Sequence, residues 1–304
     1  MAQWTSADIP DQSGRTIIIT GANSGLGYVT ALELARHGGT VIMAVRDEVK
    51  GKRALDAIAA QVSGARLELA QLDLGDLDSV AAFADAFLAS GRRLDVLVNN
   101  AGVMMPPRRL TQQGFELQFG TNHLAHFALT LRLLPAFAGS PDARVVTMTS
   151  GLHRSGHIHF DDLASVKTYS RAGAYSQSKI ANVYFALELD RRLRAAGLPI
   201  KSLLAHPGYA STNLQTSGPT GIANFLLRIS NLFMAQPAEM GALPELYAAT
   251  APGVEGGQFF GPDGRSEMRG YPKLVQPVER ALDEDVARRL WAVSEEMTGV
   301  RWPG

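Results

Sequence analysis

Tyr175 and Lys179 stand four positions apart in AYSQSKIAN, residues 174–182, within a stretch otherwise made mostly of small and apolar residues. On a helix, positions i and i+4 share a face, so the phenol and the ammonium converge on one small volume. A free phenol has a pKa of about 10 and exchanges protons poorly at neutral pH; a neighbouring ammonium favours the phenolate and lowers that value. Together the two groups could pass a proton to or from a substrate oxygen while a cofactor carries the hydride. Ser150, at the end of VVTMTS, is suited to hold that oxygen toward Tyr175. Asn122 is suited to bend its own helix or to anchor a water leading to Lys179. The plain alternative is the solvated face of an ordinary helix, where a Tyr–Lys pair at this spacing is common.

A cofactor site is suggested by RTIIITGANSGLG, which reads as a β-rich strand, a tight turn with Gly21, Gly25 and Gly27, and the start of a helix. Glycines permit close approach of a pyrophosphate, and the helix N-terminus supplies unpaired N–H groups and a favourable dipole. The turn residues Gly21, Asn23, Ser24, Gly25, Leu26 and Gly27 are therefore candidate dinucleotide contacts. An acid at the end of the second strand would bind the ribose hydroxyls of NAD. Here Val45 occupies that place and Arg46 follows, which favours the 2′-phosphate of NADP. Asp47 works against this by offering Arg46 a partner, unless it caps the next helix instead. Asp73, with Leu74 beside it, ends the third strand and could accept from the adenine amine or cap the helix that follows. Asn99, Ala101 and Gly102 of NNAG end the fourth strand beside the same crevice, where an Asx turn is the structural alternative.

The elements that position these groups alternate along the chain. Short apolar strands are predicted at 15–20, 40–45, 66–72, 94–98, 143–149 and 200–205, with helices near 25–37, 47–62, 76–89, 115–137 and 173–195 between them. Such alternation predicts a parallel sheet covered on both faces. The pattern weakens from Pro207 to Pro237, then resumes with helices at about 238–250 and 283–298. No charge block, linker or repeat marks a boundary, so residues 1–304 read as one domain with a substrate-covering insertion at about 207–237. In that insertion Ile222, Phe225, Leu226, Leu227, Ile229, Leu232, Phe233 and Met234 could close over an apolar ligand or simply pack as buried helix.

In order and strand-end placement these motifs resemble the short-chain dehydrogenase/reductase family from Arg15 to the C-terminal helix. The matching residues are Thr20-Gly21-x-x-x-Gly25-x-Gly27, Asp73, Asn99-Asn100-Ala101-Gly102, Asn122, Ser150, Tyr175-x-x-x-Lys179 and Pro207-Gly208. The resemblance implies a single-domain, doubly wound α/β Rossmann-type fold with a seven-stranded parallel sheet and helices on both faces. It also implies a catalytic tetrad of Asn122, Ser150, Tyr175 and Lys179. Tyr175 and Lys179 would then also touch the nicotinamide ribose side of the cofactor, Pro207 and Gly208 would shape the backbone there, and Thr212 would hydrogen-bond the carboxamide. TGANSGLG, Arg46, NHLAHFALT and the step from Ser150 to Tyr175 are similar to the retinol-dehydrogenase and WW-domain-oxidoreductase-like branch. That likeness implies NADP(H)-linked hydride transfer between the nicotinamide and an alcohol/carbonyl pair, with a lipophilic small molecule as substrate. A departure is Ser24, which puts no basic charge beside the glycine turn, so NAD stands as the alternative cofactor. An epimerase or dehydratase, or a non-catalytic nucleotide-sensing or scaffold protein, are the rival functions.

The composition limits what else the chain could do. With 29 Lys plus Arg against 29 Asp plus Glu there is no global field to draw nucleic acid or an anionic surface. The absence of cysteine removes disulfides, thiolate catalysis and cysteine-ligated zinc. Neither a signal peptide nor a membrane span is expected, and the cytoplasm is the default location. His153, His157 and His159, like His123, His126 and His206, read as polar contacts, and no metal is expected. Helices 115–137 and 173–195 are candidates for homo-oligomer contacts, as the resemblance implies.

Overall fold

The computed structural model describes residues 3–209 and 236–303. Thr212 and the apolar residues 222–234 thus lie outside the described residues. Eight strands form one sheet: β1 (Thr16–Thr20), β2 (Thr40–Val45), β3 (Arg66–Gln71), β4 (Val96–Asn99), β5 (Ala143–Met148), β6 (Ile200–Ala205), β7 (Phe259–Pro262) and β8 (Pro272–Leu274). Their order is β3-β2-β1-β4-β5-β6-β7-β8, with every neighbouring pair parallel except β7 and β8. This corrects the seven-strand, all-parallel expectation by one short antiparallel edge strand. Neither β7 nor β8 announces itself: FFGP and PKL are too short for periodicity, and each carries a proline. On β8 the exposed Lys273 and the proline blunt the edge against further pairing.

The two-residue period of β1 feeds both faces. Ile17 and Ile19 pack with Met43, Val29 and Leu34 under α1 (Gly25–Arg36), while Ile18 packs with Ile42, Leu97 and Phe127 on the opposite side. Helix starts follow local capping chemistry. Asp47 accepts from Lys50 N–H to begin α2 (Glu48–Gln61), and Asp76 accepts from Asp78 N–H to begin α3 (Leu77–Ala89). The chain winds from β1 outward to β3 and then returns to β4 on β1's other side. A crevice therefore opens at the carboxyl ends of β1 and β4, the topological switch point where such sheets hold dinucleotides.

The helix predicted over 115–137 is divided. α4 (Leu117–Phe119) leads into a π-helical segment, Gly120–Leu124, then α5 (Ala125–Leu133) and a 3-10 turn at Leu134–Phe137. Segments of this widened kind recur at functional sites, and Asn122 lies within it. α6 (Arg171–Ala195) is capped by Ser170 and carries Tyr175 and Lys179 in its first turns. α7 (Ala238–Thr250) packs against α1, and α8 (Glu284–Thr298) lies across α5 and α6. In that last contact the Trp291 ring stands edge-on to Phe127 at 4.9 Å, stacks on Phe185 at 6.0 Å and carries the Arg192 guanidinium at 4.4 Å. No described helix is long and apolar enough to cross a membrane.

Candidate active site

The crevice is built from three strand ends. At β1, Gly21 and Gly25 take φ of +69° and +57°, conformations that side-chain-bearing residues avoid. Gly27 has no room for a Cβ, which would lie 2.7 Å from the Gly21 carbonyl oxygen and closer still to the Asn100 amide. Ser24 precedes α1 without a side-chain capping bond, so the leading N–H groups of that helix, around Leu26 and Gly27, are not satisfied by their own cap. Asn23 completes this turn. Together these features fit a pyrophosphate drawn close to bare backbone.

The β1 and β4 ends are tied together by residues the motif reading left without roles. Thr20 Oγ1 accepts the N–H groups of Asn100 and Ala101 at 3.0 and 2.9 Å, and the Asn100 amide donates to the Thr20 carbonyl at 2.7 Å. His126 Nδ1 faces the Asn122 carbonyl at 3.1 Å and so must carry the ring proton, which leaves Nε2 to accept from the Thr20 hydroxyl at 3.0 Å. Burial pushes His126 down to about 4, in keeping with this neutral tautomer. Thr20 and Asn100 were visible inside quoted motifs; His126 lacks any spacing signal.

Several expected cofactor contacts are refined. The Asn99 amide nitrogen donates to Thr130 Oγ1 at 2.9 Å, while its Oδ1 is buried with no hydrogen-bond partner among the described residues. Asp73 Oδ1 accepts Gly75 N–H at 2.8 Å in an Asx turn, and the cap of α3 is Asp76 rather than Asp73. Leu74 is buried beside it. Arg46 is exposed at the end of β2 and makes no hydrogen bond or ion pair among the described residues, because Asp47 is occupied by the α2 cap and by Lys50 at 3.3 Å. Val45 is buried. Pro207 and Gly208 follow β6, with Gly208 at φ +64° and its N–H donating to His206 Nδ1 at 3.2 Å.

Asn122, Gly102 and Lys179 converge. Asn122 clamps Val103, accepting its N–H at 2.8 Å and donating to its carbonyl at 3.0 Å, and also donates to Ser178 Oγ at 2.9 Å. A Cβ on Gly102 would lie 3.1 Å from Asn122 Oδ1 and 3.7 Å from Lys179 Nζ. Asn122 lies in the π segment, where its helix departs from α geometry, and its side chain is spent on Val103 and Ser178. Lys179 Nζ donates to the Met148 carbonyl at 3.2 Å and sits 5.7 Å from the centre of the Tyr175 ring. Thr149 fixes the same turn of α6 by donating to the Lys179 carbonyl at 2.7 Å.

Ser150 caps the 3-10 turn Gly151–Ser155, its Oγ accepting Leu152 N–H at 3.3 Å, and its hydroxyl is close enough to the Tyr175 phenol to oppose the upward shift of that group. His153 anchors this turn: its Nδ1 lies 2.7 Å from the Ser150 carbonyl and its Nε2 accepts Val278 N–H at 3.3 Å. The expected lowering of the phenol by the ammonium is not what dominates. Burial pushes Tyr175 up to about 12, with the Ser150 hydrogen bond opposing it, and burial pushes Lys179 down to about 8. Ser150 and Lys179 thus flank the buried, proton-bearing Tyr175 next to a dinucleotide crevice, with Asn122 approaching Lys179 across Gly102, an arrangement able to exchange a proton with an oxygen whose carbon exchanges hydride. Among the described residues no group of three or more His, Asp or Glu is gathered so as to hold a metal ion.

The model of the short chain dehydrogenase family matches residues 15–221, which spans the crevice and all four of these side chains. The chain belongs to the short-chain dehydrogenases/reductases. It is 40% identical to retinol dehydrogenase 14 of Homo sapiens, covering 94% of this chain and 87% of that one. It is also 40% identical to the polyprenol dehydrogenase of Mus musculus, over 96% and 86% of the two chains. Among solved structures, an uncharacterized protein from Mycobacterium paratuberculosis shares 46% identity over 100% of both chains with a TM-score of 0.83. A protein assigned as an NAD(P)-dependent gluconate 5-dehydrogenase from Beutenbergia cavernae, with NADP at low occupancy, shares 27% identity over 81% of this chain and 94% of its own, TM-score 0.64. This short-chain dehydrogenase/reductase is accordingly an NAD(P)-dependent oxidoreductase that moves hydride.

Proposed function

We propose that the enzyme prefers NADP(H) and interconverts a lipophilic alcohol with its carbonyl compound. The observation that carries the cofactor preference is the exposed Arg46 at the end of β2, which has no partner among the described residues, with the apolar Val45 where an acid would select NAD. The guanidinium is planar and always charged, and it offers several donors to a 2′-phosphate. Arg46→Ala should weaken NADPH binding about 10- to 100-fold, the value of a lost charge-assisted hydrogen bond, and leave NADH nearly unchanged. Calorimetry with both nucleotides decides it, and an intrinsic NADH preference in the unaltered enzyme would overturn the cofactor assignment. The lipophilic substrate is supported by the resemblance to dehydrogenases named for retinol and polyprenol, both long apolar alcohols. Incubation of NADPH with a panel of carbonyl compounds graded by apolar length tests it.

When bound, the nicotinamide supplies or accepts the hydride. The protein's part is to hold and move the proton. Ser150 directs the substrate oxygen at Tyr175, Tyr175 delivers the proton during reduction, and Lys179 favours the negative charge left on the phenol oxygen. Asn122 holds the Val103 backbone and so keeps Gly102 open next to Lys179. Lys179 is charged below about 8 and neutral above it. Carbonyl reduction should therefore decline as pH rises through about 8, measured as kcat/KM across pH 6–10. A flat profile over that range would remove Lys179 from this role.

A further inference from the structure

On the side of the site away from the glycine turn, one carboxylate oxygen links segments that are far apart in sequence. Glu267 Oε2 accepts from Arg154 Nη2 at 2.8 Å and from His206 Nε2 at 3.0 Å. Arg154 belongs to the 3-10 turn that Ser150 begins. His206 is 1% exposed, and because its Nδ1 accepts Gly208 N–H, its Nε2 must carry the proton given to Glu267. The loop carrying Glu267 also supports the next residues directly. Met268 O accepts Tyr209 N–H at 2.7 Å and stands where any Cβ on Gly208 would have to go.

This arrangement is held against local preference. Ser266 and Glu267 take φ of +53° and +56°, left-handed values in two successive residues that are not glycine. Inside the β7–β8 turn Glu267 N–H donates to Gly264 O at 3.0 Å and Met268 N–H to Arg265 O at 3.3 Å, and the links to Arg154, His206 and Gly208 hold the same backbone from outside the turn. Gly261 on β7 must also lack a side chain, since a Cβ there would run into the His206 ring.

We propose that Glu267 is a positioning residue for hydride transfer, setting the separation between the Ser150 turn and the Pro207–Gly208 backbone through Arg154 and His206. The proposal rests on the roles given above to Ser150 and to Pro207–Gly208. The substrate oxygen is held from the first of these and the nicotinamide lies against the second, so the bridge fixes how far carbon and hydride must travel to meet. Its carboxylate is held down to about 2 by the His206 hydrogen bond and then by Arg154, so the link stays ionised through the physiological range. Glu267 does not touch the reacting atoms.

The test is a comparison of Glu267→Ala, Glu267→Gln and Arg154→Met with the unaltered enzyme, using NADPH and a carbonyl substrate that the latter reduces. Glu267→Ala and Arg154→Met should each lose about 10- to 100-fold in kcat, the scale of an ångström-level misplacement. NADPH affinity should stay unchanged, since the phosphates and adenosine are held across β1–β3. A deuterated nicotinamide should show a larger isotope effect in both variants as hydride transfer becomes slower. Glu267→Gln should recover most of the loss, because its amide oxygen can accept from both partners. A fall in melting temperature with an unchanged isotope effect would overturn the proposal and make the link structural; if Glu267→Ala fails to fold, the exposed Arg154 variant carries the same test. An unaltered enzyme that transfers no hydride overturns the proposed function and this proposal with it. Normal turnover in Arg154→Met and Glu267→Ala overturns this proposal alone.

Discussion

Replacing Tyr175 with Phe should lower turnover by about 10²- to 10⁴-fold, the usual worth of a positioned general acid. The change removes one oxygen from a side chain that is 7% exposed, so the shape of the pocket is kept. Dinucleotide affinity should stay within about twofold because α1 and the glycine turn are untouched. Since burial holds the phenol up to about 12, it carries its proton throughout the neutral range and is set to give it away as hydride arrives. Single-turnover oxidation of NADPH, followed with saturating carbonyl substrate, measures the effect on the chemical step rather than on product release. A variant reacting at the unaltered rate would mean that the proton comes from elsewhere, and the roles assigned to Ser150 and Lys179 would fall with it.

The second large effect is on stability and lies far from the chemistry. Glu245 on α7 is fully buried against α1, and neither of its carboxyl oxygens nor the neighbouring Thr30 hydroxyl has a hydrogen-bond partner of normal geometry among the described residues. Desolvation pushes the carboxyl from 4.5 up to about 8. The folded value lies above the unfolded one, so the folded chain keeps a proton that the unfolded chain releases. Stability from this group is therefore complete below about 4.5 and is lost progressively as pH rises through about 8, levelling off above that. The gap amounts to something on the order of 4 kcal/mol. Glu245→Gln cannot ionise, so its stability relative to the unaltered protein should grow by about that amount between pH 5 and pH 9. Urea unfolding at those two pH values provides the check, and a constant difference between the proteins would show that Glu245 does not titrate in this window.

Much of the site could be read before the fold because its chemistry sits at strand ends, where strand, turn and helix signals are local. Gly21, Gly25 and Gly27 lie in one short turn, and Tyr175 and Lys179 in one helical turn, so spacing alone brings each set together. What escaped depends on distance along the chain. Glu267 reaches Arg154 and His206 from 113 and 61 positions away, and no periodicity links them. Asn99 was legible as a strand-end residue, but the direction of its amide depends on Thr130 across the α5 packing. The raised phenol of Tyr175 escapes the sequence for a related reason. The ammonium is nearby, as the spacing predicts, yet the depth of burial, set by the whole fold, decides the direction of the shift. β7 and β8 escaped because three or four residues cannot display a repeat.

Trp291 gives α8 a meaning beyond packing. Its indole is wedged between Phe127 of α5 and Phe185 of α6, with Arg192 laid over it. Lifting α8 off α5 and α6 would bring three large rings into water at once, so this flank and the C-terminal helix are expected to unfold together rather than separately.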